Sequence, residues 1–193
     1  MTDGTRERFL DASARLFRRQ GYAGTGLKLI TAESGAPWGS LYHHFPGGKE
    51  ELGVATITRS GRRYEKVLHN LAAEATDTAQ IIEDYFQLSV EALAASDYAD
   101  GCPVATVALE AASTNEALRH CCAEVFASWQ LALAERLEAD GLAPDAAAEL
   151  AVFALATFEG AVMLSRTARD PGPLRVSARL TARAIRTAIA TSR

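Results

Sequence analysis

Cysteine is scarce, and the three present (Cys102, Cys121, Cys122) are an odd number. That argues against a disulfide framework and fits a reducing compartment. Strand patterning is missing as well: no stretch alternates apolar and polar residues as a half-buried strand would. No unbroken apolar run approaches the ~20 residues that a membrane-spanning helix needs. The opening MTDGTRERFL carries no apolar signal region, so a cytoplasmic protein without a membrane partner is expected. Positive charge is in deficit, with a net of −4. Internal repeats and low-complexity linkers are absent. So is the chemistry of most enzymes. His43 and His44 are consecutive and point ~100° apart on a helix, useless as a metal pair. His120-Cys121-Cys122 has the same flaw as a zinc site. With no glycine-rich phosphate loop, nucleophile elbow or paired carboxylates, no catalytic residue, metal or cofactor is expected.

What is present is helical. The 193 residues suffice for one large domain or two small ones with a sizeable core. Apolar residues make up 48% and charged residues 23%, ordinary for a globular protein. Period-3.6 patterning and turn residues mark helices over 4–20, 25–34, 38–44, 49–72, 77–96, 104–112, 116–139, 145–169 and 174–190. In the first, Phe9, Ala12, Ser13, Leu16 and Phe17 form the inward stripe, with Arg8, Arg15, Arg18 and Arg19 off it. Asn115 reads as the N-cap of 116–139. The fold class is therefore all-α, about nine helices. Charge is unevenly spread: residues 1–50 hold seven basic and five acidic groups, residues 51–193 hold 13 and 19. Phosphates respond to local charge, because fields beyond ~8–10 Å are screened.

The stretch 25–50, TGLKLITAESGAPWGSLYHHFPGGKE, is the most informative. Thr25 can cap the helix that places Leu27, Ile30 and Ser34 on one inward face. Gly35 suits a left-handed helix end. Pro37 suits the first turn of the next helix, having no N–H to satisfy. Over Trp38 to His44, Leu41 and then Phe45 face inward, leaving Trp38, Ser40, Tyr42 and His43 outward. Two helices joined by a glycine corner make a helix-turn-helix, whose second helix enters a DNA groove. Hydroxyls and imidazoles on its outer face reach phosphates and base edges. Lys49 opens the fourth helix, where free N–H groups form an anion site suited to phosphate. A hairpin that only packs in a core is the alternative.

Residues 21–52 resemble the DNA-binding signature of TetR-type (AcrR-like) one-component transcriptional repressors. The matching run is Gly21-Tyr22, Thr25, Ile30, Gly35, Gly39-Ser40-Leu41-Tyr42-His43-His44-Phe45 and Lys49-Glu50-Glu51-Leu52. The doubled glycine of FPGGKEEL, with GCPVATVALEAA at 101–112, resembles the LmrA/YxaF-like subgroup, some of which answer to drugs or flavonoids. Two positions depart: Trp38 stands where Lys or Arg is usual, and Pro37 where Ser or Thr commonly caps. The resemblance implies a DNA-binding domain over 1–48 (motif about 25–45) and an effector-binding, dimerising domain over 49–193. It implies groove or phosphate contacts from Thr25, Lys28, Pro37, Trp38, Gly39, Ser40, Tyr42, His43 and Lys49. It also implies a homodimer through helices 145–169 and 174–190 on a near-palindromic double-stranded operator.

Helix 145–169 is apolar nearly all round, with Phe153, Thr157, Gly160, Ala161 and Leu164 on a second face, as if buried on two sides. Aromatic residues exceed what packing needs, and Phe86, Glu110, Phe126, Trp129 and Phe158 are the expected lining of a pocket for a small apolar or aromatic effector. The expected function is an effector-released repressor. The competing readings are a helical carrier or enzyme whose hairpin is only structural, and a thiol sensor using Cys102, Cys121 and Cys122.

Overall fold

The computed structural model of the chain describes residues 3–192. The outermost residues of the two expected domains, 1, 2 and 193, lie outside them. Among the described residues there are nine helices and no strand. They are α1 (Asp3–Gln20), α2 (Leu27–Ser34), α3 (Trp38–His44), α4 (Gly48–Glu74), α5 (Thr78–Ala95), α6 (Pro103–Ala111), α7 (Glu116–Ala139), α8 (Pro144–Ala168) and α9 (Gly172–Thr191).

The chain divides into two compact units. One comprises the residues up to Arg62 with Cys102–Val125; the other comprises Arg63–Gly101 and the residues from Phe126 on. The boundary between these compact units falls within α4. The reason is that α6 packs on α1, which draws α6 and the start of α7 into the first unit.

In the first unit, Phe9, Leu10, Ala12 and Phe17 of α1 are buried with Ile30, Leu41, Phe45, Leu52 and Ile57. The Phe9 and Phe45 rings meet edge-on at 6.3 Å. Gly21, at φ 75°, ends α1. A Cβ on Gly53 would lie 2.9 Å from the Tyr22 ring and 3.1 Å from Leu118, so glycine is what lets α4 approach them. Asn115 caps α7 as expected, accepting from the Leu118 N–H at 2.8 Å.

In the second unit, α5, α8 and α9 bury Ile82, Phe86, Val90, Ala151, Ala154, Phe158, Leu174 and Ile185 in one core. Asp77 caps α5, its carboxylate accepting from the Gln80 N–H at 2.7 Å. Alanines at 147, 151, 154 and 161 face that core, letting helix axes come close. Ala161, expected on the second face of α8, is therefore on the core side. The outer arc of α8 keeps Val152, Phe153, Met163 and Leu164 exposed, and α9 exposes Val176 and Leu180. Despite Glu149 and Glu159, α8 is long and apolar enough, by length and composition, to cross a membrane.

Candidate nucleic-acid interface

The corner between α2 and α3 is set by short-range backbone chemistry. Gly35 closes α2 at φ 61°, a left-handed position where a Cβ is strained. The Arg8 Nη1 donates to the Gly35 carbonyl at 3.2 Å, and the Arg15 Nε donates to Glu33 at 3.2 Å. Both arginines thus clasp α1 to α2. Pro37 is the N-cap of α3, at φ −61° and ψ 137°, one residue outside the first turn expected for it. Its carbonyl accepts from the Ser40 N–H at 3.0 Å and the Ser40 hydroxyl at 2.6 Å.

A seven-residue helix is far below the ~12–15 residues that hold together alone in water. Burial holds it instead. Leu41 and Phe45 are 0% and 1% exposed, together contributing on the order of 3–6 kcal/mol. The same anchoring turns the other side outward: Trp38 is 44% and Tyr42 50% exposed, their rings 6.1 Å apart and edge-on. His43, Gly39 and Pro37 are exposed too, and Ser40 is half-buried. Nothing lies within 4 Å of where a Gly39 Cβ would stand, so the backbone there is open to close approach. Lys28 is exposed on α2.

Two expected phosphate ligands are placed otherwise. Thr25 does not cap α2: the N-cap is Gly26, without a side-chain cap. Thr25 is fully buried, and its hydroxyl donates to the Gly21 carbonyl at 2.6 Å. A short hydroxyl side chain has a local carbonyl within reach, and here it closes the end of α1 instead. Its side chain therefore leaves the phosphate set. Lys49 is half-buried with Nζ 4.2 Å from the centre of the Tyr22 ring, a cation–π contact. Burial pushes the Lys49 ammonium below its usual value, and the Glu110 carboxylate pulls it partly back. Burial, then the Glu50 carboxylate, raise the Tyr22 phenol. At the start of α4, Glu51 accepts from the Gly47 N–H at 2.7 Å, and the Gly48 N–H donates to the Phe45 carbonyl at 2.9 Å. These groups are not free for a phosphate; a Glu a few positions into a helix start is the sequence signal for such a cap.

Glu110 accepts from the Ala23 N–H at 2.8 Å, so it braces the α1–α2 loop of the first unit. Its expected place in an effector pocket is corrected by that bond. In the second unit an apolar cavity of about 50 Å³ is lined by Phe86, Trp129 and Phe158, with Tyr64, Tyr85 and Leu155 among the other walls. Phe126 meets Trp129 edge-on at 5.7 Å without lining the cavity. Tyr85 and Phe158 lie 4.9 Å apart, and Phe86 and Phe158 5.1 Å. Tyr64 and Tyr85 line the cavity beside the expected residues; helical spacing cannot rank one aromatic over another as cavity wall or ordinary core.

Among the described residues no group of three His, Cys, Asp or Glu is placed to hold a metal. All three cysteines are buried. Burial, then the neighbouring Cys121, push the Cys122 thiol up to about 12. The thiolate is the nucleophile. At pH 8 such a thiol is ionised in only about one molecule in 10⁴. Iodoacetamide should accordingly leave Cys122 unmodified in the native protein at pH 8 and label it in urea. Mass spectrometry showing rapid native labelling at this residue would contradict that geometry.

The comparisons agree with the fold. The description "Bacterial regulatory proteins, tetR family" matches residues 9–56, and "Transcriptional regulator LmrA/YxaF-like, C-terminal domain" matches residues 78–180. The HTH-type transcriptional regulator YxaF of Bacillus subtilis (strain 168) is 38% identical over 170 residues, 88% of this chain and 89% of that one. LmrA of the same organism is 37% identical over 171 residues, 88% and 90% of the two chains. Among solved structures, a TetR transcriptional regulator from Chloroflexus aurantiacus superposes with a TM-score of 0.78 at 28% identity, covering 96% of each chain. TetR from Rhodobacter sphaeroides gives 0.83 at 21%, covering 92% of this chain and 96% of that one, a likeness of fold. These relatives are regulators rather than enzymes, which sets the enzyme reading aside. With a helix-turn-helix at one end and an LmrA/YxaF-like domain after it, this chain belongs to the TetR family of DNA-binding transcriptional regulators.

Proposed function

We propose that this regulator is a cytoplasmic repressor that binds a near-palindromic operator as a homodimer and is released by a small apolar or aromatic effector. The DNA-binding domain is residues 1–48 and the effector-binding, dimerising domain 49–193. The observation that carries the reading is α3: Leu41 and Phe45 are buried beneath it, while Trp38 and Tyr42 stand exposed above. About half of the indole and of the phenol is left open to solvent on the outside of a two-turn helix, large apolar surface that a solvated face does not need. In the major groove, Trp38, Tyr42 and His43 meet base edges and phosphates, Gly39 lets the helix approach closely, and Lys28 supplies charge.

The second subunit docks on the exposed apolar arc of α8 and α9, where Gly160 and Ala156 permit close helix contact. The effector site is the cavity walled by Phe86, Trp129 and Phe158. No charged side chain lines it, so a neutral ligand fits best. At about 50 Å³ it is smaller than a cavity of ~150 Å³ that takes benzene, so the effector must move side chains to enter. By linkage it weakens DNA binding by the factor that DNA weakens effector binding.

The test is binding of the wild-type protein and Tyr42→Ala to the intergenic DNA beside its own gene, by mobility shift at several salt concentrations. Tyr42→Ala should lose at least tenfold in affinity, because each of two heads gives up a contact worth about 1 kcal/mol or more. Binding that is unchanged and insensitive to salt would remove the assignment.

A further inference from the structure

The groove between α5 and α9 holds a second cleft, of about 200 Å³, distinct in character from the inner cavity. Its apolar floor includes Phe86 and Leu174, and its rim carries Glu83, Gln87, Arg175 and Arg179. The rim charges are not balanced. Glu83 is already taken by Arg186, whose Nη1 and Nη2 donate to its two oxygens at 3.1 and 2.8 Å. Gln87 donates to Glu91 at 2.9 Å. Among the described residues, neither the Arg175 nor the Arg179 guanidinium has a hydrogen-bond or ion-pair partner. Two unmatched cations thus stand over an apolar floor in a cleft of measurable volume.

We propose that this cleft binds a small monocarboxylate with an apolar, ring-sized body. A guanidinium presents its donors in a planar fork that matches a carboxylate, and two side by side favour an anion over any neutral group. The cleft is half open, and its volume of about 200 Å³, beside the ~150 Å³ of a closed cavity that holds benzene, leaves room for one ring and a carboxylate. The apolar body lies on Phe86 and Leu174 while the carboxylate meets the arginines at the rim. Phe86 is also a wall of the inner cavity, edge-on to Phe158, so an occupant of either space touches the same ring. This site stands apart from the effector reading, since the inner cavity has no charged lining and this one is defined by charge.

The test is calorimetric titration of the full chain with phenylacetate and with its neutral counterpart phenylacetamide. Phenylacetate should bind at least tenfold more tightly than the amide. Arg175→Gln with Arg179→Gln should lower its affinity at least tenfold, and both positions are exposed, so the fold should persist. Ala178→Phe, which fills the cleft and keeps both cations, should abolish binding. No heat with phenylacetate, equal affinity for the amide, or an arginine pair that binds as well as the wild type would each overturn the proposal. So would binding that survives Ala178→Phe and is lost in Leu155→Trp, because the ligand would then occupy the inner cavity. DNA affinity enters none of these readouts, so failure here leaves the repressor reading to its own test.

Discussion

Leu164→Asp is expected to turn the dimer into single chains and to lower operator affinity by 10²- to 10⁴-fold. In one chain Leu164 is 56% exposed, so an aspartate there costs the fold of that chain little. In the proposed dimer the same position lies on the two-fold face, which also carries Phe153 and Met163. The substitution enters twice, and it places two carboxylates in an apolar contact without partners. Desolvating an unpaired charge costs several kcal/mol, more than one leucine contact supplies. Loss of the mate then leaves each recognition helix to bind alone. Two linked heads exceed one by an effective-concentration factor of about 10²–10⁴, and that factor is what disappears. Analytical ultracentrifugation gives the mass, circular dichroism checks the helices, and anisotropy on operator DNA gives the affinity. A Leu164→Asp protein that remains a tight dimer would move the interface away from α8 and α9.

The second large effect concerns stability. Gly21→Ala is expected to destabilise the protein by about 2–4 kcal/mol, a fall in Tm of roughly 5–15 °C for a chain of this size. Two causes add. Gly21 sits at φ 75°, where an L-residue with a Cβ is penalised by roughly 1–2 kcal/mol. The new Cβ would also stand 1.8 Å from the Glu110 Oε1. The carboxylate must swing away, and in doing so it drops the Ala23 N–H, a solvent-exposed bond at the low end of the about 1.5–3 kcal/mol that a charged acceptor contributes. Glu110→Ala alone removes only that bond. Because both changes lose the same interaction, the double variant should cost less than the two single costs added together, which a double-mutant cycle reads directly. If Gly21→Ala costs under 0.5 kcal/mol by thermal or urea unfolding, Glu110 does not sit against the α1–α2 loop.

These two cases divide along the line between what the residues show by themselves and what they do not. The outward set of α3 was legible because Leu41 and Phe45 are four apart on a helix of known start, so the remaining side chains had one direction left. Helix limits were legible from Gly35 and Asn115, each of which acts within a few residues of itself. Thr25 was misjudged because a threonine before a helix has two local partners, the N–H ahead and the carbonyl behind, and sequence does not choose between them. Glu110 was misjudged for a longer-range reason. An acidic residue in an apolar stretch invites a pocket, and its real partner is a backbone N–H 87 positions away.

The residues alone settled the helical class, the order of the nine helices among the described residues with their limits to within about two positions, and the face of α3 that looks outward. All of these follow from periodicities and turn chemistry that operate over about four residues. The packing of helices on one another settled that Lys49 lies on Tyr22, that Glu110 reaches the Ala23 N–H, that Phe86 borders both an apolar cavity and a charged cleft, and that, among the described residues, the Arg175 and Arg179 guanidinium groups have no partner. Those outcomes depend on which helices meet. The meeting is fixed by the burial of many small apolar contacts at once, a sum over the whole chain that no single stretch contains.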